Sequence, residues 1–211
     1  RFQLQLAFLD ESPEVQAMRA DVRNMEHMLE DYLAFSRGDG GEEPTQVQLG
    51  ELLAEIQEEL QVTGKRVELK IRKSRRPLTA TVKRNALKRA ITNLASNAAR
   101  YGDQVVLRAV TQRGAIRIEV EDNGPGIPAH ERDNVFKPFY RVDHARNQSS
   151  GNSGLGLAIA RDIARGHGGE ITLGASTLGG LKATLQASRL RRQHGGLRSR
   201  NQCMRLPFGT G

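Results

Sequence analysis

Three short stretches carry residue types whose spacing could do chemistry. In "NLASNAARY", Asn93 and Asn97 stand four residues apart, which puts both amides on one face of a helix. Asn is an indifferent helix former, and its carbonyl oxygen is a neutral ligand for a hard cation such as Mg²⁺, which keeps waters and shares phosphate oxygens. Two solvated Asn side chains would give the same spacing. In "DNGPGI", Asp122 closes an alternating segment, and Gly124 and Gly126 permit a close backbone approach to a ligand. Asp122 could accept a hydrogen bond from an exocyclic amine; a tight structural turn would use the same residues. Gly124 to Ala129 also satisfies the G-x-G-x-x-A dinucleotide pattern, but Pro128 interrupts it and the strand-helix-strand context is missing. In "GNSGLGLAIARDIA", Gly154 and Gly156 open a helix whose first N–H groups could hold an anion. "TGK" at Thr63–Lys65 is not a nucleotide-binding P-loop, because Glu59 stands where the first Gly is needed.

These residues need elements to hold them. Asn85–Tyr101 reads as a helix, with Leu87, Ile91, Leu94 and Ala98 on one face. Leu155–His167 reads as another and Glu51–Val62 as a third. Val47 with Leu49, Val67–Ile71 and Leu78–Val82 read as strands. Gln104–Val110 with Ala115–Val120, and Glu170–Ser176 with Leu181–Ala187, read as hairpins. No period survives from Asn123 to Ser153, and a segment that long is usually a lid or disordered. Its small polar end, "NQSSGNSG", suits a mobile lid. Strands and helices mix without strict alternation, so the expected class is α+β, helices on one face of a mixed sheet.

Ahead of this unit, Phe2, Leu6 and Leu9 repeat at helical spacing, as if continuing a helix begun earlier. Ser12-Pro13-Glu14 starts a second helix, with Ser as N-cap and Pro at the first helical position. Val15, Met18, Val22, Met25, Met28 or Leu29, and Leu33 then form an apolar stripe ending near Arg37-Gly38. Such a hairpin must bury that stripe, and a second copy is a natural partner. The expected divisions are a helical hairpin over 1–37, a linker over 38–46, a folded unit over 47–188 and a basic, disordered tail over 189–211.

Composition narrows the function. The net charge of +8 hides an asymmetry: Asp10–Glu59 has 14 acids and 3 bases, Lys65–Arg89 has 11 bases and one acid, and Arg189–Gly211 has 6 Arg and no acid. Neither basic run is interleaved with aromatics, so no nucleic-acid partner is expected. A lone Cys203 argues against a disulfide framework and a Cys-based zinc site. No apolar run approaches the ~20 residues that span a bilayer, and no secretory signal precedes the first helix-like segment. His130, His144 and His194 show no ligand spacing, and His167 sits at a helix end, where a cation would suit the dipole.

The order of the stretches resembles the sensor histidine kinases of two-component systems. "NLASNAARY" is similar to their N box, "DNGPGI" to the G1 box, "FKPFYR" (Phe136–Arg141) to the F box and "GLGLAIA" (Gly154–Ala160) to the G2 box. The resemblance covers Arg1 to about Ala187, and its details ("NAARYG", "VEDNGPGI", "LGLAIA") look closest to the EnvZ-type osmosensor subgroup. It implies a Bergerat-type α/β sandwich that binds ATP with Mg²⁺ beneath a lid. Asn97 would hold the metal, with Asn93 supporting the phosphates. Asp122 would bind the adenine amine. Gly124 and Gly126 would make room for the base, Ile127 would form its wall, and Tyr101 would pack on it. Arg100 and Arg141 would contact phosphates, and Gly154, Leu155 and Gly156 would cradle them. Phe136 and Phe139 would anchor the lid. The implied reaction moves the γ-phosphoryl of ATP to a histidine and then to a response regulator. The implied setting is a homodimer forming the cytoplasmic part of a bacterial inner-membrane protein. The chain departs from the family in lacking the acceptor motif H-[DE]-x-x-x-P; His27 is followed by Met-Leu-Glu and no Pro. The acceptor is therefore expected upstream of Arg1, and the chain is not expected to phosphorylate itself. A nucleotide-binding module without activity, and an ATPase of the gyrase or MutL kind, are the competing readings.

Overall fold

In a computed structural model of the chain, the described residues are 41–62, 64–71, 78–112, 115–142 and 154–188, with 12–16, 18, 19, 22, 25, 26, 29 and 33. The proposed lid end at 147–153, residues 1–11 and the tail over 189–211 lie outside them.

The described residues between 13 and 33 are helical. Ser12 caps their start: its Oγ accepts the Val15 N–H at 3.3 Å and its carbonyl accepts the Gln16 N–H at 3.0 Å. Met18, Met25 and Leu29 are more than half exposed, at 53%, 58% and 59%.

The main body has two sheets. A small antiparallel pair joins β1 (Thr45–Gln48) to β3 (Thr79–Val82). The larger sheet has β2 (Arg66–Ile71), β4 (Gln104–Gln112), β5 (Ala115–Asp122), β6 (Glu170–Ala175) and β7 (Leu181–Ser188) in the order β2-β4-β5-β7-β6. Only the β2–β4 pair is parallel among these ladders. The three helices are α1 (Leu49–Gln61), α2 (Arg84–Tyr101) and α3 (Gly156–Gly166).

Alternation along the strands fixes which face is covered. Ile116, Ile118 and Val120 of β5 are buried in a core shared with Leu53 and Ile56 of α1, Leu87, Ile91 and Leu94 of α2, and Ile159 and Ile163 of α3. Of the intervening residues, Arg117 pairs with Glu119 along the strand, Glu119 also with Lys182 of β7, and Glu121 with Arg108 of β4. Alanines 90, 95, 98 and 99 of α2 and 158, 160 and 164 of α3 are buried. Their small side chains let these two helices pack closely, which brings the end of α2 beside the start of α3.

The α+β reading holds, with shifts at element ends. Leu49 begins α1 rather than continuing a strand, and its fully buried side chain belongs to the helix stripe. Two short 3-10 turns, Ala129–Glu131 and Asn134–Phe136, lie within the segment that showed no period. Each spans only 3 residues, too few for a periodic pattern to register.

Candidate nucleotide site

A cavity of about 410 Å³ opens between α2, the end of β5, the segment after it and the start of α3. Asn93, Asn97 and Tyr101 recur every fourth residue along one side of α2. Asn97 and Tyr101 line the cavity. Asn93 lies one turn earlier, beside α3: a Cβ on Gly156 would stand 3.7 Å from Asn93 Cγ. Asn93 Nδ2 is buried and, among the described residues, without a hydrogen-bond partner. A buried amide left unpaired among the described residues is costly.

Asp122 stands at the end of β5 and is 4% exposed. Its Oδ1 accepts the N–H groups of Gly124 at 2.8 Å and Leu181 at 3.1 Å. Among the described residues no hydrogen bond engages Oδ2, and Asp122 helps to line the cavity. Burial pushes the Asp122 carboxyl above its usual value, and the two backbone N–H groups only partly offset that. Apolar walls come from Leu94, Val120, Ile127, Val135 and Leu181.

At the other end, Gly154 and Gly156 line the cavity together with Arg141. Gly154 has φ +68°, and a Cβ there would meet Phe139 Cα at 2.9 Å, so glycine is required. Among the described residues no side-chain hydrogen bond caps the start of α3. Its first N–H groups, its dipole and Arg141 together suit a polyanion.

The structure gathers Asn97, Tyr101, Asp122, Gly126, Ile127, Arg141, Gly154 and Gly156 around one space. The other expected residues stand just behind it or to one side. Gly124 packs against α2, where a Cβ would come within 2.7 Å of the Tyr101 carbonyl oxygen. Leu155 is 1% exposed and part of the core. Arg100 is exposed near the end of α2 and does not line the cavity. Phe136 is buried under the Arg161 guanidinium, which sits 4.6 Å from the ring centroid. Phe139 does not anchor by packing, since it is 62% exposed; its φ of 63° and its N–H bond to the Gly154 carbonyl at 3.1 Å tie the segment by backbone instead.

One expectation is overturned. His167 is fully buried. Its Nε2 accepts the Lys83 N–H at 3.2 Å and its Nδ1 lies 2.8 Å from the Ile163 carbonyl oxygen. A backbone N–H can only donate and a carbonyl can only accept, so the ring is the neutral Nδ1–H tautomer, not a cation on the helix dipole.

Residues 82–193 match the family described as "Histidine kinase-, DNA gyrase B-, and HSP90-like ATPase". The chain belongs to this family. The sensor histidine kinase CpxA of Escherichia coli (strain K12) is 31% identical over 88% of this chain and 42% of its own length. The ATP-binding domain of PrrB from Mycobacterium tuberculosis is 26% identical, with a TM-score of 0.57, over 71% of this chain and 99% of that one. Full-length ShkA, solved in complex with AMPPNP, shares the fold at 24% identity and a TM-score of 0.69, over 88% of this chain and 41% of that one. The chain spans less than half the length of the curated relatives it matches. The fold is the Bergerat-type fold of this ATPase family, and the matched region is similar to the ATP-binding region of sensor histidine kinases.

Spacing alone missed several contributors to this ATPase core. Glu121 is fully buried beside Asp122. Burial alone would raise its carboxyl, but the hydroxyls of Ser176 and Thr177, the Arg108 charge and the Thr177 N–H outweigh that and hold it below the usual value. Gly180 touches Asp122 so closely that a Cβ would fall 2.2 Å from Oδ1. Only the acid doublet in "EVED" hinted at Glu121, and nothing local marked Gly180.

Proposed function

We propose that the cavity binds ATP with Mg²⁺ and that the chain presents the γ-phosphoryl to a histidine, from which it passes to a response regulator. The observation that carries the reading is the state of Asp122. One carboxylate oxygen is held by two backbone N–H groups, and the other is left for a donor inside a largely apolar slot. That is what an adenine amine needs, because a buried acceptor paired with a donor discriminates strongly against a ligand lacking it. Tyr101, Ile127 and Gly126 would bound the base.

The opposite end suits the phosphates. The uncapped start of α3 at Gly154–Gly156, Leu155 included, and Arg141 would neutralise and orient the chain of phosphates. Arg100, exposed near the end of α2, would contact the phosphates from outside the cavity lining. Asn97 would hold Mg²⁺ and Asn93 would support the phosphates. Among the described residues no group of three or more His, Cys, Asp or Glu could hold a metal. This fits an ion carried mainly by phosphate oxygens, with a neutral amide as the protein's share. Such an ion would supply charge neutralisation on the phosphates. Catalysis would then rest on positioning: the acceptor imidazole nitrogen attacks the γ-phosphorus, the bond to the β–γ bridging oxygen breaks, ADP leaves, and the imidazole proton goes to solvent.

The sequence holds no H-[DE]-x-x-x-P stretch, so the acceptor would be on a separate segment. No helix among the described residues is long and apolar enough to cross a membrane. The proposed setting is the cytoplasmic part of a membrane-anchored bacterial sensor, dimeric through the hairpin over 1–37. The test uses radiolabelled ATP. This chain should bind Mg²⁺-ATP, take up no acid-labile label itself, and label a separate helical hairpin that carries the acceptor motif. Binding without transfer to that hairpin would favour a nucleotide-binding module that only engages a partner.

A further inference from the structure

We infer that Glu121 is a positioning residue that aims Asp122 by latching the 176–180 turn onto the end of β5. This rests on the reading of Asp122 as the adenine-binding group.

The ladder between β5 and β7 ends at Glu121↔Lys182, so Asp122 lies one residue past the last paired position. Beyond that point two bonds hold the ends together: Gly180 N–H to the Asp122 carbonyl at 3.2 Å and Leu181 N–H to Asp122 Oδ1 at 3.1 Å. Both donors belong to the turn or its first strand residue. The turn therefore shares with the Gly124 N–H, at 2.8 Å, in setting where Asp122 Oδ1 sits and, since the carboxylate is rigid, where Oδ2 points.

Apolar packing does little to hold the turn, because Thr177 and Gly179 are exposed and Leu178 is only half-buried. The Ser176 N–H closes the turn on the Gly180 carbonyl at 2.9 Å, and Glu121 ties the closed turn to β5. Its Oε2 accepts Ser176 Oγ–H at 3.0 Å, Thr177 Oγ1–H at 3.1 Å and Thr177 N–H at 3.3 Å. Its Oε1 pairs with Arg108 and lies 3.8 Å from Lys182 Nζ. Ser176 Oγ in turn accepts the Leu178 N–H at 3.0 Å. A fully buried carboxylate is tolerable only with such partners. Here its five contacts divide between anchoring the acid to the sheet and holding the turn. Gly180 leaves no slack between turn and Asp122, so a shift of the turn is passed directly to the carboxylate.

The test is base discrimination by the full chain. Titrations would compare ATP with purine riboside triphosphate, which differs only by lacking the 6-amino group. The wild-type chain should prefer ATP by roughly tenfold or more, the size of one hydrogen bond to a charged acceptor. In Glu121→Ala that preference should fall to near unity, while affinity for the analogue changes by no more than about threefold. A lesion that merely loosened the fold would weaken both ligands alike and leave the ratio. Ser176→Ala/Thr177→Val keeps Glu121 and its cations but removes both hydroxyl donors. It should collapse the ratio too, and it carries the test if Glu121→Ala does not fold. Thr177→Ser keeps the hydroxyl and should keep the preference. Wild-type discrimination retained by Ser176→Ala/Thr177→Val overturns the latch alone. A wild-type chain that binds ATP and the analogue equally overturns the role of Asp122, and the latch with it.

Discussion

At the scale of single residues, burial of Asp122 beside the cavity comes at a cost in stability. A carboxylate that is 4% exposed loses hydration, and two backbone N–H groups only partly replace it. Its raised pKa has a definite consequence for stability. The folded state holds the Asp122 proton more tightly than the unfolded chain does. Its contribution is therefore fully present below the unfolded value of 3.8 and is lost as pH rises through the folded one. Asp122→Asn keeps the shape and an oxygen for Gly124 and Leu181, and it removes the charge. The expected outcome at pH 7 is a melting temperature equal to or above that of the wild type, with the difference shrinking as the buffer is taken toward pH 4. ATP affinity should nonetheless fall about tenfold or more, because the acceptor facing the amine is replaced by a donor. Calorimetric titration beside thermal melts checks both halves. Unchanged affinity would return "DNGPGI" to an ordinary turn. Gly180→Ala makes the converse case: its Cβ cannot coexist with Oδ1 at 2.2 Å, so nucleotide affinity should drop at least as far, with the turn displaced.

At the scale of elements, α2 carries the two amides and the tyrosine, and its start is held from far away in sequence. Glu42, in the stretch read as a linker, accepts the Asn85 N–H at 2.8 Å and the Ala86 N–H at 3.1 Å. His167 accepts the Lys83 N–H beside them. A carboxylate on the first N–H groups of a helix satisfies orphan donors and complements the dipole. Glu42→Ala should cost about 1 kcal/mol of stability and speed amide exchange at Asn85 and Ala86, as seen by urea melts and exchange-detected NMR. Protection unchanged at those two amides would show that the cap does not hold the helix. This is also where reading from sequence stopped. α2 itself was legible, because Leu87, Ile91, Leu94 and Ala98 repeat at helical spacing. So was part of the cavity lining, because Asn97, Asp122 and Gly156 sit in motifs a few residues long. The partners of the cap were not, since Glu42 and Asn85 are 43 residues apart and no local pattern joins them. His167 misled for the same reason: its decisive partner, Lys83, lies 84 residues away. Short turns such as Asn134–Phe136, and Gly180, whose need for glycine comes from Asp122, were hidden likewise.

At the scale of the molecule, two surfaces differ in what they ask of a partner. The sheet face away from the helices is settled within the chain, where Arg117, Lys182 and Arg108 surround Glu119. The described helical residues ahead of the ATPase core leave apolar side chains exposed. Met18, Met25 and Leu29 are 53%, 58% and 59% exposed and Leu33 is 39% exposed, at spacings of seven, four and four. Apolar residues recurring at that interval form the seam by which two helices pack knobs into holes. Burying one leucine is worth about 1.5–3 kcal/mol. In a two-fold dimer each position counts twice, so Leu29→Glu should weaken association by more than about a hundredfold. Sedimentation across a concentration series should show the wild-type chain moving toward dimer as concentration rises and Leu29→Glu remaining monomeric. ATP affinity should be the same in both, because the cavity draws on none of these residues. A wild-type chain that stays monomeric throughout would mean that this stripe is covered by something other than its own copy.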